Sequence, residues 1–230
     1  SLLDDDPEAG RDRTLRAQVL PPAAYVEEMV AHSEQRGVAC DFMLERDTSP
    51  VELVTRRYPA VAILKPFNTC PQICVYCQRN WEIEEAMAPG ALAQPPAVET
   101  ACRWLAEHPA VREVLVTGGD PLAMDDERIA ALLERLCALD SVDLIRIGTR
   151  VPVTLPLRIT ERLAGILAAG RAPGRREICL VTHFEHPYEV TPEAVAAVDR
   201  LRRRGIAVYN QLVYTYYVSR RFEAARLRML

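Results

Sequence analysis

The sequence predicts an α/β fold with a parallel sheet that gathers its chemistry at one end of the strands. Three observations carry that reading. Five short apolar runs alternate with segments of helical period and length, the pattern of parallel strands joined by right-handed crossovers. Cysteines follow the first run and polar motifs follow the second, fourth and fifth, so one strand-end face collects the reactive groups, as barrels do. No G-x-G-x-x-G loop follows the first run, which lowers the case for an open dinucleotide-binding sheet.

Taken in order, residues 1–21 are polar and end at Pro21-Pro22, the composition of an arm or linker. Residues 23–35 place Tyr25, Met29 and Val30 at helical spacing. Residues 38–58 read as a further helical or irregular piece, with Pro50 at a helix start. The expected organisation is an N-terminal arm and small helical subdomain over 1–58 and a larger domain over 59–230. In the larger domain, 61–67 reads as the first strand and runs into the cysteine loop. Residues 80–95 are acidic, then rich in Pro, Gly and Ala, and read as a loop. A helix is expected over 97–107 and a second strand over 111–117, ending at Gly118-Gly119-Asp120. A helix over 125–137, a third strand over 142–148 and a helix over 157–169 follow. The fourth strand is 178–181, and the next helix, 192–203, has Thr191 as its cap. The fifth strand is 206–213, and Ser219 is placed to cap a last helix over 220–230.

The 230 residues suffice for one substantial domain with an extension. Hydrophobic content of 49% and charged content of 26% are ordinary for a globular chain. A net charge of −4 implies no general attraction to nucleic acid or membranes. No apolar run approaches the ~18 residues that a membrane span needs. Ser1 to Asp6 has neither the basic nor the apolar region of a signal peptide. The chain begins without Met, so a longer parent chain is expected. Seven cysteines, odd in number and unevenly spread, argue against a secreted disulfide framework and fit a reducing cytoplasm. Cys40, Cys102, Cys137 and Cys179 read as small core residues. Lys65 is the only lysine.

The remaining cysteines, Cys70, Cys74 and Cys77, stand at C-x3-C-x2-C spacing. Zinc wants four ligands, and only Cys102 follows within thirty residues. An iron–sulfur cubane with full protein ligation also takes four cysteines; three leave one iron open to another ligand. Downstream, Gly118-Gly119-Asp120-Pro121-Leu122 fits either an ordinary tight turn or a place where backbone approaches a ligand. His183, Glu185 and His186 suggest a metal site at first sight. Against that, the histidines are three apart in a non-helical stretch with no third ligand in view.

The cysteine spacing, with Tyr76 just before the last cysteine, resembles the radical S-adenosylmethionine (radical SAM) enzymes. Further motifs occur in one order: Arg57-Tyr58-Pro59, C-x3-C-x2-C-x-R, Gly-Gly-Asp, R-I-G-T-R-x-P-V-x-L-P-x-R-I-T, T-H-F-x-H-P and Asn-Gln. From Arg57 to Gln211 the chain is similar to the lysine 2,3-aminomutase family. The resemblance implies a partial (β/α)6 barrel of TIM type, truncated after the fifth strand. It implies that Cys70, Cys74 and Cys77 hold a [4Fe–4S] cluster whose open iron chelates SAM. One electron then cleaves SAM to methionine and a 5′-deoxyadenosyl radical. Gly118, Gly119 and Asp120 would lie along the SAM methionine, and His183 and Gln211 near its ribose and adenine, with Tyr76 nearby. Arg79 would hold a substrate carboxylate, which suits a guanidinium fork. Arg57 and Tyr58 would contact pyridoxal phosphate (PLP). The implied reaction is 2,3-migration of an amino group on an amino acid, fed by a reductant such as ferredoxin or flavodoxin. The oligomeric state is not readable from the sequence; the polar N-terminal arm and the tyrosine-rich run 214–217 are the candidate contacts of a homo-oligomer.

Three departures from the family pattern bear on PLP and substrate. Only Lys65 is present for a Schiff base. Val61 stands where the family often places another PLP-side arginine. The segment after Gln211 does not look like the lysine-specific enzymes. A related radical SAM enzyme on another substrate, with or without PLP, stays open, as does a non-catalytic iron–sulfur or zinc domain.

Overall fold

A computed structural model describes residues 6, 9–36, 41, 43–80, 83, 85–215 and 218. Two helices come first, α1 (Gly10–Arg16) and α2 (Ala23–Arg36). An antiparallel pair follows, β1 (Val54–Tyr58) and β2 (Val61–Phe67). Then α3 (Pro95–Glu107), β3 (Glu113–Gly118), α4 (Asp126–Cys137) and β4 (Leu144–Gly148) alternate. The short α5 (Val151–Thr154), α6 (Glu161–Ala169), β5 (Glu177–Thr182), α7 (Pro192–Arg203) and β6 (Ala207–Asn210) complete the described chain.

The six strands form one sheet in chain order, β1 to β6. Every pair from β2 onward is parallel, and the sheet is open rather than closed on itself. The expected partial barrel is this open α/β sheet. One correction lies at its edge. Residues 54–58, read from the sequence as part of a helical or irregular piece, are strand β1, with Thr55 opposite Ile63. Their signal is short, and their partner is the next strand in sequence, so pairing rather than periodicity decides their state. A second correction concerns the arm over 1–21, where residues 10–16 are helical. The helix expected over 220–230 and the core role given to Cys40 fall outside the described residues.

Strand alternation sorts the sheet's two faces. One row runs Leu64, Val116, Ile147, Leu180 and Val208 across neighbouring strands, and the helices bury it. Its cover comes from residues such as Leu105 of α3, Leu163 of α6 and Leu201 of α7. Helix α4 shows the spacing that makes this work: Ile129, Leu132, Leu133 and Leu136 are buried, one stripe at helical period. The alternate row, Ile63, Leu115, Arg146 and Cys179, faces the other side. Cys179 is buried there, while Cys102 and Cys137 are half-buried.

Side-chain caps fix where the helices start, and hence where each strand-end loop must turn. Asp125 accepts from the Arg128 amide, Thr160 from Leu163 and Thr191 from Ala194. Each such cap is worth about 1 kcal/mol. The helix expected from residue 157 is delayed to Glu161, because Pro156–Arg158 is a separate 3-10 turn. All the parallel strands therefore end on one rim, where the loops after β2, β3, β4 and β5 meet.

Candidate active site

The loop after β2 carries the three cysteines and is held by backbone bonds rather than by regular structure. The Cys77 amide donates to the Cys74 carbonyl at 3.0 Å, and Asn80 donates to Cys77 at 3.2 Å. The Asn80 side chain ties back to the Val75 carbonyl. A strap over 85–91 closes the loop from outside. Thr69, fully buried, donates through Oγ1 to the Glu85 carbonyl and accepts from the Ala88 amide. Met87 donates to the Cys70 carbonyl and Asn68 to that of Ala91.

The Gly118-Gly119 pair is explained by contact within the protein. Gly118 has φ +104°, a conformation L side chains rarely adopt. A Cβ on Gly119 would meet the Thr69 carbonyl oxygen at 2.1 Å. Gly119 and Asp120 donate to the carbonyls of Phe67 and Thr69, zipping the β3 loop onto the chain just before Cys70. Asp120 then bridges to β4. Its carboxylate accepts from the Leu122 amide, the Thr149 hydroxyl at 2.6 Å and the Arg150 amide at 2.7 Å. Burial raises the Asp120 carboxyl above its ordinary value, against the pull of these donors.

Cys70, Cys74 and Cys77 line one cavity of about 390 Å³ at this rim. Tyr76, Arg79, Gly118, Gly119, Asp120, His183 and Gln211 line it too. The sequence-derived site residues therefore converge, with two exceptions. Arg57 and Tyr58 lie on β1 outside this cavity; Arg57 donates to the Met43 carbonyl and Tyr58 is 68% exposed. Arg79 is buried and pairs with Glu45, its Nη2 at 2.5 and 2.6 Å from the two carboxylate oxygens. Gln78 and Lys65 also bind that carboxylate, at 3.1 and 3.3 Å. The Arg79 amide donates to the Cys77 sulfur at 3.4 Å.

The family model described as the radical SAM superfamily matches residues 64–221, which takes in the end of β2, the cysteine loop and strands β3 to β6. The chain belongs to the radical SAM superfamily. Among relatives, an uncharacterized KamA family protein of Methanocaldococcus jannaschii is 48% identical over 218 residues, covering 95% of this chain and 34% of that protein. An L-lysine 2,3-aminomutase of Fusobacterium nucleatum is 36% identical over 86% of this chain and 44% of its own length. A glutamate 2,3-aminomutase of Clostridioides difficile is 34% identical over 75% of this chain and 39% of its own. The chain thus spans between a third and a half of the length of these relatives. They support the placement near the lysine 2,3-aminomutases made from the motifs.

The radical SAM cavity fits an iron–sulfur cluster on its own chemistry. Three thiols share it, and burial, with Asp120 and the other two cysteines nearby, pushes the Cys70 thiol up to about 12. A thiol so placed keeps its proton until a cation replaces it. Among the described residues no three His, Cys, Asp or Glu side chains gather as ligands of one metal ion. Cubane ligands instead bind separate irons. A volume of about 390 Å³ beside the thiols is within the usual ~300–1,000 Å³ range of small-molecule sites. The described residues do not fit PLP in the same way. Lys65 is engaged by Glu45, and Arg57 and Tyr58 lie outside the cavity.

Sequence reasoning missed a buried polar cluster behind the cysteines. Arg150 donates from Nη1 to the Cys74 sulfur at 3.0 Å, from Nη2 to Glu189 at 2.6 Å and to Gln18, and from Nε to the His183 carbonyl at 3.3 Å. Its guanidinium lies 5.7 Å from the centre of the Tyr76 ring. Gln18, from the supposed arm, binds Glu189 through its side chain and the Val75 amide through its carbonyl. Glu189 also accepts from the Glu185 and His186 amides. His183 contacts Glu185, whose other oxygen accepts from the Val213 amide. The available signal was Arg150 itself, inside a motif whose other members sit at the strand end. Gln18 and Glu189 carry no motif and are joined only by folding.

Proposed function

We propose that this chain forms the SAM-cleaving part of an enzyme that moves an amino group from one carbon of an amino acid to the next. The convergence of Cys70, Cys74 and Cys77 with Gly119, His183 and Gln211 on one cavity carries this reading. When bound, a [4Fe–4S] cluster and SAM supply a 5′-deoxyadenosyl radical by one-electron reduction. The protein's own residues supply the rest. Cys70, Cys74 and Cys77 offer the thiolates. Gly118 and Gly119 bring their backbone to the cavity where the SAM methionine would rest. His183, oriented by Glu185, and Gln211, fixed through its amide to the Thr182 carbonyl, flank the region assigned to ribose and adenine. Arg79, already oriented by one carboxylate, offers a guanidinium to a substrate carboxylate. A reductant such as ferredoxin or flavodoxin delivers the electron.

A second reading shares the chemistry of SAM cleavage and changes the substrate, without PLP. The engagement of Lys65 by Glu45 and the position of Arg57 and Tyr58 favour it. One experiment tests the shared core. The protein is reconstituted anaerobically with iron and sulfide, then given SAM and dithionite, and 5′-deoxyadenosine is quantified. Product that disappears in Cys74→Ala supports SAM cleavage. A cluster-loaded protein that makes none overturns it. Adding lysine or glutamate and looking for the β-amino acid separates the two readings.

A further inference from the structure

We propose that Arg150 and Glu189 form an opposed charge pair that sets the reduction potential of the cluster held by Cys70, Cys74 and Cys77. This inference rests on the cluster assignment. Arg150 reaches the ligand sulfur directly, with Nη1 3.0 Å from Cys74 Sγ. It is 8% exposed and Glu189 is 2% exposed, so solvent does little to screen either charge. A reduced cluster carries one more negative charge than an oxidised one. Hydrogen bonds to ligand sulfurs and nearby positive charge favour that form and raise the potential. The carboxylate of Glu189 acts in the opposite sense from the far side of the same guanidinium.

The geometry is more costly than a mere strut would need. Taking two charges out of water is costly, and the pairing repays it only where the geometry is good and the remaining donors and acceptors are satisfied. Here every contact is directional. Glu189 accepts from Gln18, Arg150 and the amides of Glu185 and His186, which fixes it. Arg150 is fixed in turn by Glu189, Gln18 and the His183 carbonyl, leaving Nη1 for the sulfur. The step concerned is a one-electron transfer from an external reductant to the cluster. No bond forms or breaks at Arg150 and no proton moves. Arg150 and Glu189 are therefore positioning residues that act through Cys74.

The test is a mediator titration of the reconstituted protein without SAM, read by electron paramagnetic resonance. Glu189→Gln is expected to shift the reduction equilibrium about tenfold toward the reduced cluster, 59 mV for one electron. Arg150→Met is expected to shift it at least as far the other way. Because Arg150→Met strands the Glu189 carboxylate, the double variant Arg150→Met/Glu189→Gln is compared with Glu189→Gln alone, which isolates the guanidinium. A lower potential in the double variant supports the inference. Equal potentials, shifts of the same sign in Glu189→Gln and Arg150→Met, or loss of the cluster from both Glu189→Gln and the double variant overturn it. In these cases a loaded wild type leaves the cluster assignment standing. A wild-type protein that takes up no cluster overturns the assignment and the inference together.

Discussion

Gly119 packs its backbone against that of Thr69 so closely that an added Cβ would lie 2.1 Å from the Thr69 carbonyl oxygen. The cysteine loop begins one residue later. The close contact between β3 and β2 at this point therefore decides where Cys70 is placed. The glycine that lets these two backbones meet also lines the cavity.

Gly119→Ala is expected to displace the segment carrying Cys70. Overpacking of this kind costs about 1–3 kcal/mol. Iron per chain after reconstitution is expected to fall well below the wild type, while far-ultraviolet circular dichroism keeps its α/β shape. Full iron content in the variant would show that the loop adapts without loss.

Arg79 is held by Glu45 before any substrate arrives. Arg79→Met leaves that carboxylate, among the described residues, with Lys65 and Gln78, and a loss of about 1–3 kcal/mol is expected in urea unfolding. Adding Glu45→Gln is expected to recover part of it, since the two groups are directly coupled. Strictly additive losses would mean that the pair contributes nothing.

The Asp120 carboxylate joins β3 to β4 through three donors. In Asp120→Asn one acceptor oxygen becomes an amide that faces a donor, and about 1–3 kcal/mol is expected to be lost at neutral pH. The pH dependence has a definite sign. The folded-state value lies above the ordinary 3.8, so the folded protein binds the proton more readily than the unfolded chain. Wild-type stability is thus expected to improve relative to the variant as pH falls from neutral toward 3.8. A difference that shrinks over that window would contradict the assignment.

Tyr58 is 68% exposed and lines no part of the cavity. Tyr58→Ala is expected to change stability by less than about 0.5 kcal/mol and to leave iron content and 5′-deoxyadenosine yield unchanged. A fall in 5′-deoxyadenosine yield with intact iron content would place Tyr58 in the working site after all.

The parallel strands and their helices were legible because each is a local pattern. The alternation over 61–67, the stripe at Ile129, Leu132, Leu133 and Leu136, and the Thr191 cap are decided within a few residues of themselves. The cysteine spacing and the motifs after it were legible for a related reason. Each strand end contributes one short run, and β/α alternation delivers every run to the same rim. Strand β1 was not legible, since its five residues take their state from pairing with β2.

The polar cluster around Arg150 was decided by the tertiary structure alone. Gln18, Cys74, Arg150 and Glu189 belong to four segments that are far apart in sequence and meet only when the sheet twists and its loops converge. Nothing local announces such a meeting, because a buried charge is tolerable only once its partners are in place. The pairing of Arg79 with Glu45 is of the same kind. The sequence by itself determined the parallel strands, the helices between them, their order and the cysteine loop. Folding determined which charges stand beside the sulfurs, because electrostatic partners are chosen by distance in space and not by spacing along the chain.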